Sequence, residues 1–148
     1  MTIDVPLEEI YQEVILDHNR NPRNFRKMDK PSRHTHGYNP LCGDDYELFL
    51  VTDDGKVQDA SFTGSGCAIS KASASILTTL IKGRTIEEAA RIKDNFLDLV
   101  TCGRLPEEHS VDFKKIKPFE GVRKFPIRVK CATLIWHALE EAMKEKTR

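Results

Sequence analysis

Behind Asp4 and Pro6, the apolar positions Leu7, Ile10, Tyr11 and Val14 recur at helical spacing, which predicts an amphipathic helix ending near His18. Asn21-Pro22 stops it, because proline disfavours helix at the residue before it, and residues 26–36 read as a polar, basic connection. From Gly37 the period drops to two. Tyr46 to Val51 predicts a strand, Val57 to Thr63 its partner across an Asp54-Gly55 hairpin turn, and His34 to Pro40 a short third strand. Ile69, Ala72, Ser73, Ile76 and Leu80 then mark a second helix closed by Gly83. Thr85-Ile86-Glu87-Glu88 has the capping-box pattern and opens a third, running to about Val100. Gly103, Pro106, Pro118 and Gly121 make residues 101–121 a loop with one short helical turn around Val111 to Lys115. Pro126 opens the last helix, whose buried face is Ile127, Cys131, Leu134, Ile135, Ala138, Leu139 and Ala142. The elements add up to an α+β fold: a small antiparallel three-stranded sheet packed against helices, in a single domain over residues 1–148.

Composition narrows the class. Lys plus Arg and Asp plus Glu number 23 each in 148 residues, so net charge gives no reason to expect nucleic acid or a membrane surface. No secretory h-region is present, nor an apolar run of about 18 residues. The expected compartment is the cytoplasm, where the four cysteines are not expected to pair as disulfides. Cys42, Cys67, Cys102 and Cys131 form no CxxC pair, so any site they build is assembled by the tertiary fold.

The chemistry concentrates at Leu41-Cys42-Gly43-Asp44-Asp45 and Gly64-Ser65-Gly66-Cys67. Cys42 and Asp44 lie two residues apart, and in an extended chain both would point to one side. A hairpin brings the entry of one strand close to the exit of the next, so Cys67 can share their site, expected at the solvent-facing end of the sheet. Cys131 lies on the last helix, in an apolar stripe that a plain core cysteine would also occupy. Three thiols and a carboxylate suit Zn²⁺, or a labile iron–sulfur cradle. Cys102, beside Gly103, reads as incidental. Among the histidines (18, 34, 36, 109, 137), His34 and His36 read as a surface pair, and there is no HExxH, deaminase signature, P-loop or GxGxxG.

These residues carry a resemblance. Tyr11 to Phe25, Asn39-Pro40-Leu41-Cys42-Gly43-Asp44, Gly64-Ser65-Gly66-Cys67-Ala68-Ile69-Ser70 and Lys130-Cys131-Ala132-Thr133-Leu134 resemble the signatures of the U-type iron–sulfur cluster assembly proteins, the IscU/NifU-like family. The likeness leans to the SufU branch. Lys130 stands where IscU-type members carry histidine, Phe125 to Val129 stands where they carry LPPVK, and the segment from Cys67 to Cys131 is longer. The resemblance implies iron–sulfur cluster assembly, with zinc-dependent transfer of persulfide sulfur from a SufS-like cysteine desulfurase toward downstream cluster-assembly proteins. In that reading Cys42, Asp44, Cys67 and Cys131 hold zinc and Cys42, in a loop, is the ligand free to leave and accept sulfur. Arg128 and Lys130 then serve partner docking or support of the site. The rival reading is a scaffold for a transient [2Fe–2S] cluster on the same four residues.

Overall fold

The strong alternation after Gly37 becomes a three-stranded antiparallel meander, β1 (Arg33–Asn39), β2 (Asp44–Asp53) and β3 (Lys56–Ser65), in that spatial order. This is a computed structural model describing residues 7–103 and 111–144; the expected cap at Asp4 and Pro6, together with Pro106, His109 and Lys146, lies outside the described residues. The β2–β3 turn holds Asp54 at φ 52° and Gly55 at φ 75°, the paired positive angles of a two-residue turn that matches strand twist. Tyr46, Leu48 and Leu50 of β2 face inward with Ala60 and Phe62 of β3, all buried, and Leu48 stands opposite Phe62.

Of five α-helices among the described residues, the second and the fifth pack on the sheet, and the other three pack on these two. The five are α1 (Leu7–Arg20), α2 (Ala68–Ile81), α3 (Ile86–Cys102), α4 (Val111–Ile116) and α5 (Pro126–Lys144). The predicted stops hold for local reasons: Gly83 follows α2 at φ 85°, and Thr85 and Glu88 exchange both bonds of the capping box at 2.9 and 3.1 Å. Phe96 of α3 stacks on Trp136 of α5 at 4.5 Å and meets Phe119 edge-on at 5.4 Å, which joins the layers. No helix among the described residues is long and apolar enough to cross a membrane.

One stretch departs from expectation. Lys117–Lys124, read as loop because of Pro118 and Gly121, is a 3₁₀ helix. Pro118 sits in its first turn, where a missing N–H costs nothing. Ile116, Phe119 and Val122 are buried at a spacing of three, the period at which 3₁₀ side chains eclipse.

Helix α2 is the central rod, packed on α1, α5, α3 and β3. It carries unusually polar buried positions: Ser70, Ser73, Ser75 and Thr78. Each hydroxyl ties another segment down. Asn24, at φ 59°, donates from its amide to Thr78 Oγ1 at 3.0 Å, and its carbonyl accepts from the Phe62 amide at 3.0 Å. Ser75 accepts from the Arg23 amide at 2.9 Å and stands 2.8 Å from His18 Nδ1. Burial, and then the nearby Arg23 charge, lower the His18 pKa to about 4.

That shift has a pH consequence. An unfolded His18 binds its proton near 6.5, whereas the folded one resists it down to about 4. Between those values the unfolded chain holds more protons, so the His18 contribution is complete above about pH 6.5 and is lost as pH falls toward 4. Urea titrations of wild type and His18→Gln are expected to diverge within that window, with the variant showing the flatter pH dependence.

Candidate metal centre

The site starts at the β1–β2 turn. Asn39 pairs with Asp44 across it, the Cys42 amide donates to the Asn39 carbonyl at 3.3 Å, and the Leu41 amide donates to Asn39 Oδ1 at 3.2 Å. Gly43 takes φ 70°, a left-handed angle that glycine adopts without strain. This corrects one step of the sequence argument. Cys42 and Asp44 do not share the side of an extended strand; Cys42 rides the turn, and Gly43 redirects the chain so that Asp44 opens β2 facing inward.

Asp44 is 0% exposed. Its Oδ1 accepts from the Cys67 amide at 3.0 Å and from the Ser70 hydroxyl at 3.1 Å, both at the N-terminus of α2. That end of a helix favours an anion, and the two donors fix the carboxylate's direction. The second oxygen, Oδ2, is buried and has no partner among the described residues. An ionised oxygen left so costs several kcal/mol in general (about 1–3 or more) unless a cation meets it. Ser70 Oγ also lies 3.0 Å from the buried Tyr46 hydroxyl, whose pKa burial raises to about 12.

Two sulfurs complete the nearest shell. Cys131 Sγ, on α5 and buried, lies 3.1 Å from Cys42 Sγ, and both thiols and an Asp44 oxygen lie within 4.8 Å of one another. Burial drives the Cys131 thiol well above its usual range, and the neighbouring Cys42, Asp44 and Cys67 push it further the same way. The donor set therefore fits a divalent cation of zinc's softness: it offers two sulfurs and a carboxylate oxygen that has no partner among the described residues. Cys42, half-buried, is the member nearest solvent.

Cys67 stands at the border of this trio. It is the N-cap of α2, and its Sγ accepts the Ser70 amide at 3.4 Å. Of the four expected ligands, the fold thus gathers Cys42, Asp44 and Cys131 tightly and holds Cys67 at the adjoining helix end. Cys102 is exposed at the end of α3, outside the cluster. Arg128 stacks over the Phe125 ring at 5.5 Å, with no bond to Asp44, and Lys130 is exposed. His34 and His36 are the expected surface pair, but each has an acid that the sequence concealed: Glu47 at 2.8 Å and Asp45 at 2.5 Å across the β1–β2 ladder.

The position of α5, and so of Cys131, is set by polar contacts in the core. Ser73 of α2 donates to the Ala132 carbonyl at 2.6 Å and accepts from Trp136 Nε1 at 2.9 Å. On the other side Gly37 lets β1 approach, since a Cβ there would sit 3.2 Å from Leu134 Cγ. Ser73 and Tyr46 were not singled out from the sequence as parts of the site, and Gly66 and Ser70 stood in the second motif without the packing and hydrogen-bonding roles they have here. The available signal was the run of small hydroxyl residues on an otherwise apolar helical stripe.

Gly66 is required by space. A Cβ there would collide with Asp44 Oδ1 and lie 2.7 Å from Ser70 Oγ and 2.9 Å from the Tyr46 hydroxyl. Gly66→Ala is expected to displace the carboxylate, to cost about 1–3 kcal/mol of stability, and to weaken metal binding at least tenfold. Thermal melting and a competitive chelator titration measure the two effects, and a variant that binds metal as tightly as wild type contradicts this account of the cradle.

A family model for the NifU-like N-terminal domain matches residues 10–132. Over 143 residues the chain is 41% identical to the zinc-dependent sulfurtransferase SufU of Bacillus subtilis (strain 168), covering 97% of this chain and 95% of that protein. It is 36% identical over 138 residues to the iron–sulfur cluster assembly scaffold protein IscU of Streptococcus pyogenes serotype M1, covering 93% and 85%. The fold is similar to the structure of FiSufU from Fervidobacterium islandicum AW-1, with a TM-score of 0.83, 33% identity, and 94% and 100% of the two chains covered. With its sheet, its helices and the thiol–carboxylate cluster in place, this chain belongs to the NifU-like N-terminal domain family.

Proposed function

We propose that this protein works in iron–sulfur cluster assembly as a zinc-dependent acceptor and carrier of persulfide sulfur, serving a cysteine desulfurase in the cytoplasm. The observation that carries the reading is the asymmetry of the cluster. Asp44 and Cys131 are buried and held by core contacts, whereas Cys42 sits in a turn near solvent. The likeness to a relative named a zinc-dependent sulfurtransferase supports the choice of metal and of chemistry.

Cys42, Asp44, Cys67 and Cys131 are the proposed ligands, with Cys67 turning its thiol from its own helix end toward the ion. When bound, zinc supplies positive charge that keeps the thiols deprotonated at neutral pH and clamps the turn to α2 and α5. The acceptor step belongs to Cys42. Its thiolate attacks the terminal sulfur of the desulfurase's cysteine persulfide, a new S–S bond forms on Cys42, and the donor's S–S bond breaks. The electron pair stays on the donor cysteine as thiolate, so nothing is oxidised or reduced overall. Exposed Leu41, beside Cys42, and exposed Ile127, one turn before Cys131, frame the sulfurs with apolar surface suited to a protein donor.

The second reading, a scaffold for a transient [2Fe–2S] cluster on the same residues, is favoured by the 36% identity to a relative named as a scaffold. Metal analysis separates them first. Isolated protein is expected to carry about one zinc per chain, in keeping with a four-ligand site, and to show no visible-region cluster absorbance. Cys67→Ala and Cys131→Ala are expected to lose the metal and melt at lower temperature, whereas Cys102→Ser keeps both. Full zinc occupancy in both alanine variants overturns the ligand assignment.

Cys42→Ser separates structure from chemistry. Serine is close in size but forms no persulfide, and water can complete a site with three remaining protein ligands. The variant is expected to fold, to retain much of its zinc and to lose the acceleration of desulfurase turnover that wild type gives. Mass spectrometry is expected to find one added sulfur on Cys42 of wild type. A variant that accelerates turnover like wild type, with no sulfur ever on Cys42, rules the acceptor reading out.

A further inference from the structure

Beside the metal centre, α1, α2, the 3₁₀ segment and the start of α5 enclose a cleft of about 260 Å³. Its floor is apolar, built by Ile15, Ile69 and Val122, and its lip carries Lys124, Phe125 and Arg128. The three lip residues are exposed, and the Arg128 guanidinium lies over the Phe125 ring at 5.5 Å. None of the described lining residues bears a carboxylate. The cleft adjoins the sulfur chemistry through the chain itself: Ile69 follows Cys67 by two residues, and Arg128 precedes Cys131 by one helical turn.

From this arrangement we infer that the cleft seats an anchor of the sulfur donor, a large apolar side chain with a carboxylate beside it. Lining decides the first half. The floor of Ile15, Ile69 and Val122 is apolar and the cleft, at about 260 Å³, is small, which suits a large apolar side chain better than a polar one. Charge decides the second half. Two cations at an apolar mouth reject a basic segment and reward an acidic one, and a guanidinium stacked on an aromatic face keeps its planar fork for a carboxylate. Continuity with the site decides the occupant. Phe125 at 54% exposure, Ile127 at 63% and Leu41 at 71% lie on the same two segments that carry Cys131 and Cys42, so a protein delivering sulfur to Cys42 also covers the cleft. An apolar anchor entering a pocket beside an apolar collar is the usual anatomy of a docking hot spot. The inference rests on the sulfur-acceptor reading and supplies what that reading lacks, a reason for selectivity among persulfide donors.

The test is a titration of the zinc-loaded full-length protein into the cysteine desulfurase of the same genome, with turnover as the readout. Wild type, the double reversal Lys124→Glu/Arg128→Glu and Cys42→Ser are compared. Lys56→Glu, at the start of β3 and the far end of the sheet, controls for charge against the single reversal Arg128→Glu, which changes the net charge by the same amount. The double reversal is expected to raise the half-saturating concentration at least tenfold and to flatten its dependence on salt, while Lys56→Glu stays within twofold of wild type. Zinc content and melting temperature confirm that the double variant folds; if it does not, Arg128→Gln reads the same quantity with a rise of threefold or more. A half-saturating concentration unchanged by the cleft variants, with acceleration still abolished by Cys42→Ser, overturns the cleft and leaves the acceptor reading standing. An equal rise for Lys56→Glu reduces the effect to bulk charge and overturns the cleft as well. Wild type that fails to accelerate the desulfurase removes the acceptor reading and the cleft's role with it.

Discussion

A carboxylate buried at the N-terminus of a helix is the constraint on which the rest of this structure turns. One oxygen of Asp44 accepts from the Cys67 amide and the Ser70 hydroxyl, and the other has no partner among the described residues. The first oxygen fixes where α2 begins relative to β2. The second suits a cation, because a buried carboxylate oxygen without a partner is costly. Everything around it follows from that need: Gly66 vacates the volume beside the carboxylate, Gly43 turns Cys42 toward it, and Cys131 closes the space from α5. Stability and metal chemistry are therefore one problem in this fold, since the ion that would satisfy Asp44 also joins the turn to the helices.

The distance between Cys131 and Asp44 is controlled from elsewhere. Ser73 bonds the Ala132 carbonyl and receives the Trp136 indole N–H, so the register of α5 against α2 is fixed by a polar contact inside an apolar interface. Apolar packing tolerates small slides; a buried hydrogen bond pair does not, because either group left unpaired loses its full solvation. A cluster whose members come from a turn, a strand and a distant helix needs such pins.

The parts of this fold that depend on neighbours in sequence were readable without coordinates. Asp54-Gly55 demanded two positive φ angles, and Thr85 with Glu88 formed a reciprocal cap, each through bonds within a few residues. The residue types of the cluster were readable too, since thiols and a carboxylate near glycines name a chemistry before they name a place. What escaped were relations made only by packing. The i, i+2 argument for Cys42 and Asp44 assumed extended backbone where Gly43 turns it. The period of three at Ile116, Phe119 and Val122 was present, but Pro118 and Gly121 read as breakers instead of as residues a 3₁₀ helix accepts. Buried serines on α2 looked like polar interruptions of a stripe, because their partners, His18, the Arg23 amide, the Ala132 carbonyl and Trp136, lie far off along the chain. The acids facing His34 and His36 were hidden in the same way by strand register.

The span between Cys42 and Cys131, 89 residues along the chain, governs when the centre can exist during synthesis. A nascent polypeptide stopped before α5 already contains the turn, Asp44 and Cys67, yet it lacks the thiol that seals the pocket and the Trp136 indole that locks Ser73. Until α5 has been made and has docked, a cation beside Asp44 would be open to water and to competing thiols. The distance of Cys131 from Cys42 along the sequence couples closure of this cluster to the docking of α5.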